Sequence, residues 1–297
     1  MEENTKQGIR ELVPEHTKAH YRLLRARLLS IGLRSRHPLF LSDEERRASS
    51  EISIVVAVHD APEITASCLK SLETFGGSSE IIIVDDGSRL ASSRRLLEDV
   101  CSRNHWQYLR HDVALGHSRA CEAGVLFARR PYICLLNSDT VVTPCAWLGI
   151  LRAFEAAPEI AVVGPSTSHT CGPQIVSRAL HCRHYWSNEQ ICLFAQRYVA
   201  KHCGDPIVDL PAVGGFAFFV RRGVWDQMGG FDNNLPDYGN ESEFCQRVIE
   251  AGLRIVWTRG SYIHHLGSAS YGGTLGVNQI KRRCIEATAY IQRKANQ

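Results

Sequence analysis

The sequence contains no apolar run long enough to cross a bilayer. A helical span needs about 20 such residues, whereas the longest candidate, residues 211–220, is followed at once by Arg221 and Arg222. The first four residues, Met-Glu-Glu-Asn, also lack the basic and then apolar pattern of a secretion signal. These two absences together predict a cytoplasmic protein.

A large charge excess is missing as well. The formal net charge is +3 over 297 residues, which is too small to indicate a nucleic acid partner. Basic residues are nevertheless crowded into residues 1–50, where leucines recur at helical spacing. This pattern predicts a basic helical arm that could bind a second copy of the chain, contact the inner membrane surface peripherally, or pack on its own domain.

Two familiar ligand motifs are also lacking. No G-x-G-x-x-G follows a predicted strand, which argues against a dinucleotide oxidoreductase. None of the 11 cysteines has the C-x₂-C spacing that makes a zinc site a strong prediction. Without an export signal, these cysteines are expected to be free thiols in a reducing compartment.

From Glu51 onward, short apolar runs alternate with helical patterns. The first half has predicted strands at residues 52–58, 80–84, 106–109 and 132–136, and predicted helices at residues 62–74, 91–102 and 117–128. The less regular second half has predicted strands at residues 161–164, 213–220 and 254–257, and predicted helices at residues 189–200, 241–251 and 279–294. This alternation predicts an α/β fold with a mostly parallel sheet flanked by helices.

Two acidic turns come directly after buried strands of this predicted sheet. One is Asp85-Asp86-Gly87-Ser88 and the other is Asn137-Ser138-Asp139. Ligands of such sheets bind at the carboxyl ends of the strands, and carboxylate oxygens suit Mg²⁺ and Mn²⁺. Because Asp and Asn also favour turns through local hydrogen bonds, each turn alone fits a structural role equally well.

Seven segments taken in order resemble the motifs of a family 2 glycosyltransferase with the GT-A fold. The segments are Ile52–Asp60, Ile82–Ser88, Leu115–Gly124, Leu135–Thr140, Arg221–Asp232, Tyr238–Glu243 and Ile263–Gly267. The resemblance implies a catalytic domain at residues 51–270, with a nucleotide-sugar half at 51–140 and an acceptor half at 141–270. Residues 271–297 would then form a C-terminal helix.

The resemblance also implies a role for individual residues. Those expected to bind the nucleotide-sugar donor are Ala57, His59, Asp60, Asp86, Gly116, Arg119, Asn137 and Ser138. Asp86 would accept the N3–H of a uracil or thymine ring, and Asp139 and His264 would hold Mn²⁺ or Mg²⁺. Glu241 would be the general base, while Glu243 would bind acceptor hydroxyls or orient Glu241. The implied reaction is an inverting transfer from a UDP- or dTDP-sugar to a saccharide or lipid-linked acceptor in surface polysaccharide synthesis.

Four positions depart from the family pattern. Asn137 occupies the first position of the metal-binding element, Asn240 and Glu241 replace the usual Glu and Asp, and Cys121 stands where Asn is common. These departures keep a second function open, namely a nucleotide- or saccharide-binding protein of the same fold with weak or no catalysis.

Overall fold

The computed structural model describes residues 39–170, 172–176, 187–267 and 277–295. Residues 1–38 of the predicted basic arm lie outside the described residues, as do residues 177–186. Over the described residues, no helix is both long enough and apolar enough to span a membrane.

Eight strands form one sheet with the order β3-β2-β1-β4-β8-β6-β9-β7. The strands of this sheet are β1 (Ile52–Val58), β2 (Glu80–Asp85), β3 (Gln107–Arg110), β4 (Tyr132–Asn137), β6 (Ile160–Ser166), β7 (Val208–Asp209), β8 (Ala217–Arg221) and β9 (Arg254–Tyr262). Neighbours pair in parallel except where β8 meets β4 and β6 and where β7 meets β9. The predicted mostly parallel α/β sheet is therefore confirmed.

A second, two-stranded sheet joins β5 (Thr140–Val141) to β10 (His264–His265) in antiparallel pairing. This small sheet brings a segment near the end of the second half of the chain to the turn that follows β4. The register of this pairing therefore determines which side chain of β10 can reach that turn.

Helices cover both faces of the large sheet and its edges. They are α1 (Asp43–Ser49), α2 (Pro62–Phe75), α3 (Ala91–Asn104), α4 (His117–Val125), α5 (Leu148–Glu155), α6 (Asn188–His202), α7 (Arg222–Met228), α8 (Asn240–Glu250) and α9 (Val277–Ala295). Helix α2 begins at Pro62, where the missing N–H costs no hydrogen bond. One apolar core lies under α2, α3 and α5, and a second lies under α4, α7 and α8.

Helix α1 packs onto the sheet domain and does not belong to a separate arm. Ser42 caps its first turn by accepting a hydrogen bond from the Glu45 N–H. The Glu45 carboxylate then accepts the backbone N–H groups of Trp147 and Leu148, at 2.8 and 3.0 Å, and so caps α5. The prediction of a separate arm over residues 1–50 thus differs from the packing of residues 42–50. Ser49, near the end of the predicted arm, is fully buried.

The strand predicted over residues 213–220 also begins later than its apolar sequence suggested. Pairing starts at Ala217, and residues 213–216 form a loop instead. Gly214 and Gly215 carry no side chain that could pack on a sheet face, which favours the loop. This loop becomes one wall of the candidate site.

Candidate functional site

A cavity of about 440 Å³ opens at the carboxyl ends of β1 and β4. Its other walls are the loop before β8 and the first turn of α8. Seven of the residues predicted from the sequence line it: Ala57, His59, Asp86, Asn137, Ser138, Asp139 and Glu241. Polar residues from distant parts of the chain thus meet where ligands bind in sheets of this type.

Asp86 is buried on one side of this cavity and is held by three donors. Its Oδ1 accepts hydrogen bonds from His111 Nδ1 at 2.8 Å and from the Leu115 N–H at 2.9 Å. Its Oδ2 accepts the Gly116 N–H at 2.8 Å. Since each carboxylate oxygen carries two lone pairs, Oδ2 retains one for a ligand. The carboxylate is therefore fixed before any ligand arrives.

The first acid of the same turn has a structural role. Asp85 is fully buried, its Oδ1 accepts the Ser88 N–H at 2.8 Å, and its Oδ2 pairs with Arg110 and Tyr108. Asp85 thus closes the turn, which leaves Asp86 to face the cavity.

His59 and Asp60 divide their roles in a similar way. His59 lines the cavity, and its Nδ1 donates to the Asp86 carbonyl oxygen at 2.7 Å. Asp60 accepts the backbone N–H groups of Arg89 and Leu90 through Oδ1. Asp60 is not among the cavity-lining residues, because its carboxylate turns toward the loop that precedes α3.

Gly116 and Arg119 also differ from the predicted donor contacts. Gly116 lies beside the cavity, where its backbone N–H holds Asp86 and its φ of +96° favours glycine. Arg119 is exposed on α4, on the side turned away from the cavity. A helix exposes only one stripe of its residues to a given neighbour, and Arg119 falls outside that stripe.

Asp139 and His265 meet across the small sheet. Asp139 is almost fully buried, and His265 Nε2 lies 3.2 Å from its Oδ1. His265 Nδ1 must donate to the carbonyl oxygen of His169, at 2.6 Å, because a carbonyl can only accept. The ring of His265 also stacks on Phe216, with centroids 5.2 Å apart. These contacts fix the imidazole with Nε2 directed at the carboxylate.

His264, the predicted metal ligand, faces the other way. Adjacent residues of a strand point to opposite faces, and the ring of His264 turns toward Tyr262, with 3.0 Å between the Tyr262 hydroxyl and His264 Nδ1. It does not line the cavity, whereas His265 does. Of the two histidines, His265 lines the cavity and pairs with Asp139, whereas the sequence prediction named His264.

Glu241 is half-buried and lines the same cavity. Burial is the main cause that raises the pKa of its carboxyl above the ordinary value, and the charge of His117 works in the opposite direction. The Glu241 side chain rests on the backbone of Gly215. A carboxyl with a raised pKa inside a cavity is a recognised feature of general bases.

Glu243 lies two residues after Glu241 and does not line the cavity. It is buried, and both its oxygens are bonded to Arg247, at 2.9 and 2.6 Å. Lys294 of α9 donates to the same carboxylate at 2.6 Å. Glu243 therefore joins α8 to the C-terminal helix, and the structure does not place it where it could bind an acceptor.

Several cavity residues were missed by the sequence reading. They are Val58, His117, His169, Thr170, Ala212, Val213, Gly214, Gly215, Phe216, Asp237, Tyr238, Gly239, Ser242 and His265. His169 and Thr170 come from an irregular segment that has no periodic pattern. Tyr238 and Gly239 belong to a quoted motif, so their position next to Glu241 was a usable signal.

The residues present suit a divalent cation that is shared with a ligand. Among the described residues, no group of three or more His, Cys, Asp and Glu side chains is arranged to hold a metal. Asp139 and His265 offer one oxygen and one nitrogen, and Mg²⁺ and Mn²⁺ commonly complete their shells with phosphate and water. Two protein ligands are therefore enough for a site that also binds a diphosphate.

Comparisons with curated proteins reveal distant relatives. The chain is 23% identical over 226 residues to the uncharacterized protein y4gI of Sinorhizobium fredii, covering 74% of this chain and 25% of that protein. It is 22% identical over 236 residues to the O-antigen biosynthesis protein RfbC of Myxococcus xanthus, covering 75% of this chain and 18% of that protein. The chain thus spans a quarter or less of the length of these relatives.

Two solved structures with a similar fold contain Mn²⁺. One is GalNAc-T7 with UDP, GalNAc and Mn²⁺, at a TM-score of 0.55 and 14% identity over 72% of this chain and 43% of that one. The other is the mannosyltransferase PcManGT of Pyrobaculum calidifontis with GDP-Man and Mn²⁺, at a TM-score of 0.52 and 12% identity over 84% and 66%. They support the GT-A fold. The family model for glycosyl transferase family 2 matches residues 53–219, more than half of the 297 residues, and the chain belongs to that family.

Proposed function

We propose that this glycosyltransferase moves a sugar from a UDP- or dTDP-sugar to a hydroxyl group of a saccharide or glycolipid, with inversion at the anomeric carbon. The observation that carries the proposal is the meeting of Glu241 with the Asp139–His265 pair in one cavity. A base and a candidate diphosphate site that line one cavity suit a single displacement between donor and acceptor.

The proton transfer falls to Glu241. Its carboxylate takes the proton of the acceptor hydroxyl while that oxygen forms a bond to the anomeric carbon. The bond from the anomeric carbon to the diphosphate oxygen breaks on the opposite side, and the nucleoside diphosphate leaves with the electron pair. General base catalysis of this kind contributes roughly 10²–10⁴-fold to the rate.

Other residues of the cavity would bind the donor. Asp86 is fixed by His111 and two backbone amides, so its remaining lone pair can accept the N3–H of a uracil or thymine ring. Asp139 and His265 would hold Mn²⁺ or Mg²⁺ beside Asn137 and Ser138. When bound, the cation supplies positive charge that offsets the charge gained by the diphosphate. Two structures with this fold contain Mn²⁺ together with UDP or GDP-Man, which supports this division of roles.

A surface polysaccharide is the acceptor class that the comparisons favour. RfbC of Myxococcus xanthus is named for O-antigen biosynthesis, and three quarters of this chain aligns with part of it. O-antigen is built of sugars, so a saccharide or a lipid-linked saccharide is a reasonable acceptor. A location at the inner membrane surface would follow from such an acceptor.

Hydrolysis and transfer assays with a panel of nucleotide sugars test this function. We expect release of UDP or dTDP from one donor when Mn²⁺ is present, and faster release when a saccharide acceptor is added. GDP-Man is the comparison donor, because the Asp86 carboxylate should not match the guanine ring in the same way. Nucleotide binding without turnover of any donor would instead favour a binding protein, as the change at Asn137 suggests.

A further inference from the structure

The carboxyl end of Glu241 occupies the space where a side chain at position 215 would begin. A Cβ placed on Gly215 would overlap the Oε1 and Cδ atoms of Glu241, and would lie 3.0 Å from its Cγ. Real Cβ atoms essentially never come closer than 3.0 Å to a non-bonded heavy atom. Glycine is the residue that lets a backbone approach another group this closely.

The backbone of this loop is held from behind and cannot withdraw from Glu241. The Gly214 N–H donates to Gln174 Oε1 at 2.7 Å, and Gln174 Nε2 donates to the Pro165 carbonyl at 2.8 Å. On the other side of Gly215, the Phe216 carbonyl accepts the Asn137 N–H at 2.9 Å. Gln174 is buried, so water does not compete for its hydrogen bonds.

The helix turn that carries Glu241 is fixed as well. Asn240 Nδ2 donates to Ser118 Oγ at 3.0 Å, and both side chains are buried. Two residues after Glu241, the carboxylate of Glu243 is bonded to Arg247 and Lys294. The gap between the Gly215 backbone and the start of α8 therefore has a fixed width, and the carboxyl end of Glu241 fills it.

We propose that Gly215 is a positioning residue for the catalytic carboxylate: its missing side chain forms the seat that holds Glu241. This inference rests on the proposed role of Glu241 as the base. A methyl group at position 215 pushes the carboxylate out toward the open cavity and away from the acceptor hydroxyl. Glu241 is also lifted off a surface that shields it from water, which moves its pKa back toward the ordinary value.

The test compares four proteins: the wild type, Gly215→Ala, Glu241→Asp and the double variant. Aspartate is shorter by one methylene group, so its carboxylate withdraws from the position of the added methyl group. We expect Gly215→Ala to lower kcat by roughly 10²-fold, the loss typical of a misplaced catalytic group, with the donor KM within about twofold. In the Glu241→Asp background, the same change should cost less than about threefold.

Two further variants serve as controls for this test. Gly223 has no heavy atom within 4 Å of an added Cβ, so Gly223→Ala controls for the loss of a glycine as such. If Gly215→Ala does not fold but Gly215→Ala with Glu241→Ala does, the collision lies at Glu241 and the proposal stands. Failure of both to fold would show that the backbone itself needs glycine, and would overturn the proposal.

A measurement that does not depend on turnover can test this inference separately from the proposed function. The pKa of the Glu241 carboxyl can be followed by carbon-13 NMR of Glu-labelled protein, with Glu241→Gln used for assignment. A lower pKa in Gly215→Ala supports the seat even if no donor is turned over. An unchanged pKa together with wild-type kcat, or losses that multiply in the double variant, would contradict it.

Discussion

His265 Nε2 lies 3.2 Å from Asp139 Oδ1, and the carbonyl of His169 fixes the ring that makes this approach. Because Nδ1 donates to the His169 carbonyl, Nε2 is the ring nitrogen that faces the carboxylate. A nitrogen and a carboxylate oxygen held this close together are suitable ligands for one divalent cation. This relationship makes His265, rather than its neighbour, the residue to test for metal binding.

Substitution of His265 should weaken metal-dependent nucleotide binding. We expect His265→Gln to raise the Mn²⁺ concentration needed for stabilisation by UDP at least about 10-fold, because one of the two proposed protein ligands of the metal is lost. His264→Gln is the matched control, since its ring faces Tyr262. Thermal unfolding followed with UDP across a Mn²⁺ series measures both. Equal effects of the two substitutions would contradict the assignment.

The choice between His264 and His265 shows where sequence reading reaches its limit. Buried strands such as Ile52–Val58 are rich in β-branched residues, and their predicted positions match the structure to within two residues. Which of two adjacent histidines faces a site depends on pairing register with a strand over a hundred residues away. No local pattern carries that register, which is why the sequence prediction named His264 although His265 lies next to Asp139.

Glu243 illustrates the same limit for charged residues. Its i, i+4 spacing to Arg247 was visible in the sequence and predicts an ion pair. The bond from Lys294, 51 residues away, was not visible, because it depends on where α9 docks. By contrast, the turns at Asp86 and Asp139 were predicted from strand ends alone, since parallel strands bring their carboxyl ends together.

Substitution of Glu243 should lower stability more than activity. Glu243→Gln leaves Arg247 and Lys294 without their shared carboxylate, so we expect the free energy of unfolding to fall by about 2 kcal/mol. Turnover per folded molecule should stay within about threefold of wild type. Urea unfolding and steady-state assays on the same sample measure the two effects. A loss of turnover without a loss of stability would show that Glu243 takes part in catalysis.

The pH profile should report the raised pKa of Glu241. A general base works only when ionised, so kcat is lost as the pH falls through its pKa. Since burial raises the Glu241 pKa above its ordinary value of 4.5, the acidic limb should lie above that pH. His117→Gln removes a charge that lowers this pKa and should move the limb to higher pH still. A limb at or below pH 4.5, unmoved by His117→Gln, would exclude Glu241 as its source.

Glu45 should make stability depend on pH. Burial raises its pKa to about 7, although two backbone N–H groups favour the charged form. The folded state therefore holds this proton more tightly than the unfolded state, so stability is lost as the pH rises from about 4.5 to 7. The free energy of unfolding of Glu45→Gln, relative to that of the wild type, should therefore rise by about 2 kcal/mol between pH 5 and pH 8. Denaturant unfolding of both proteins across this range gives the difference directly, and a constant difference would contradict it.

Two N-terminal truncations should distinguish the contribution of helix α1 to stability from that of the residues before it. A chain that starts at Leu39 keeps the Glu45 cap on α5, whereas one that starts at Ser50 loses it together with buried Ala48 and Ser49. We expect the longer chain to retain donor hydrolysis and the shorter one to unfold at lower temperature by several degrees. Equal melting temperatures would show that α1 adds nothing to the domain.

The proposed chemistry depends most directly on the carboxylate of Glu241. Glu241→Gln keeps the shape of the side chain but removes the proton acceptor. The measurement is the steady-state kcat for transfer from the preferred nucleotide sugar with Mn²⁺, alongside the UDP affinity of the same protein. The account predicts a fall in kcat of about 10²-fold or more with nucleotide affinity within about twofold. Near-normal kcat in Glu241→Gln would contradict it.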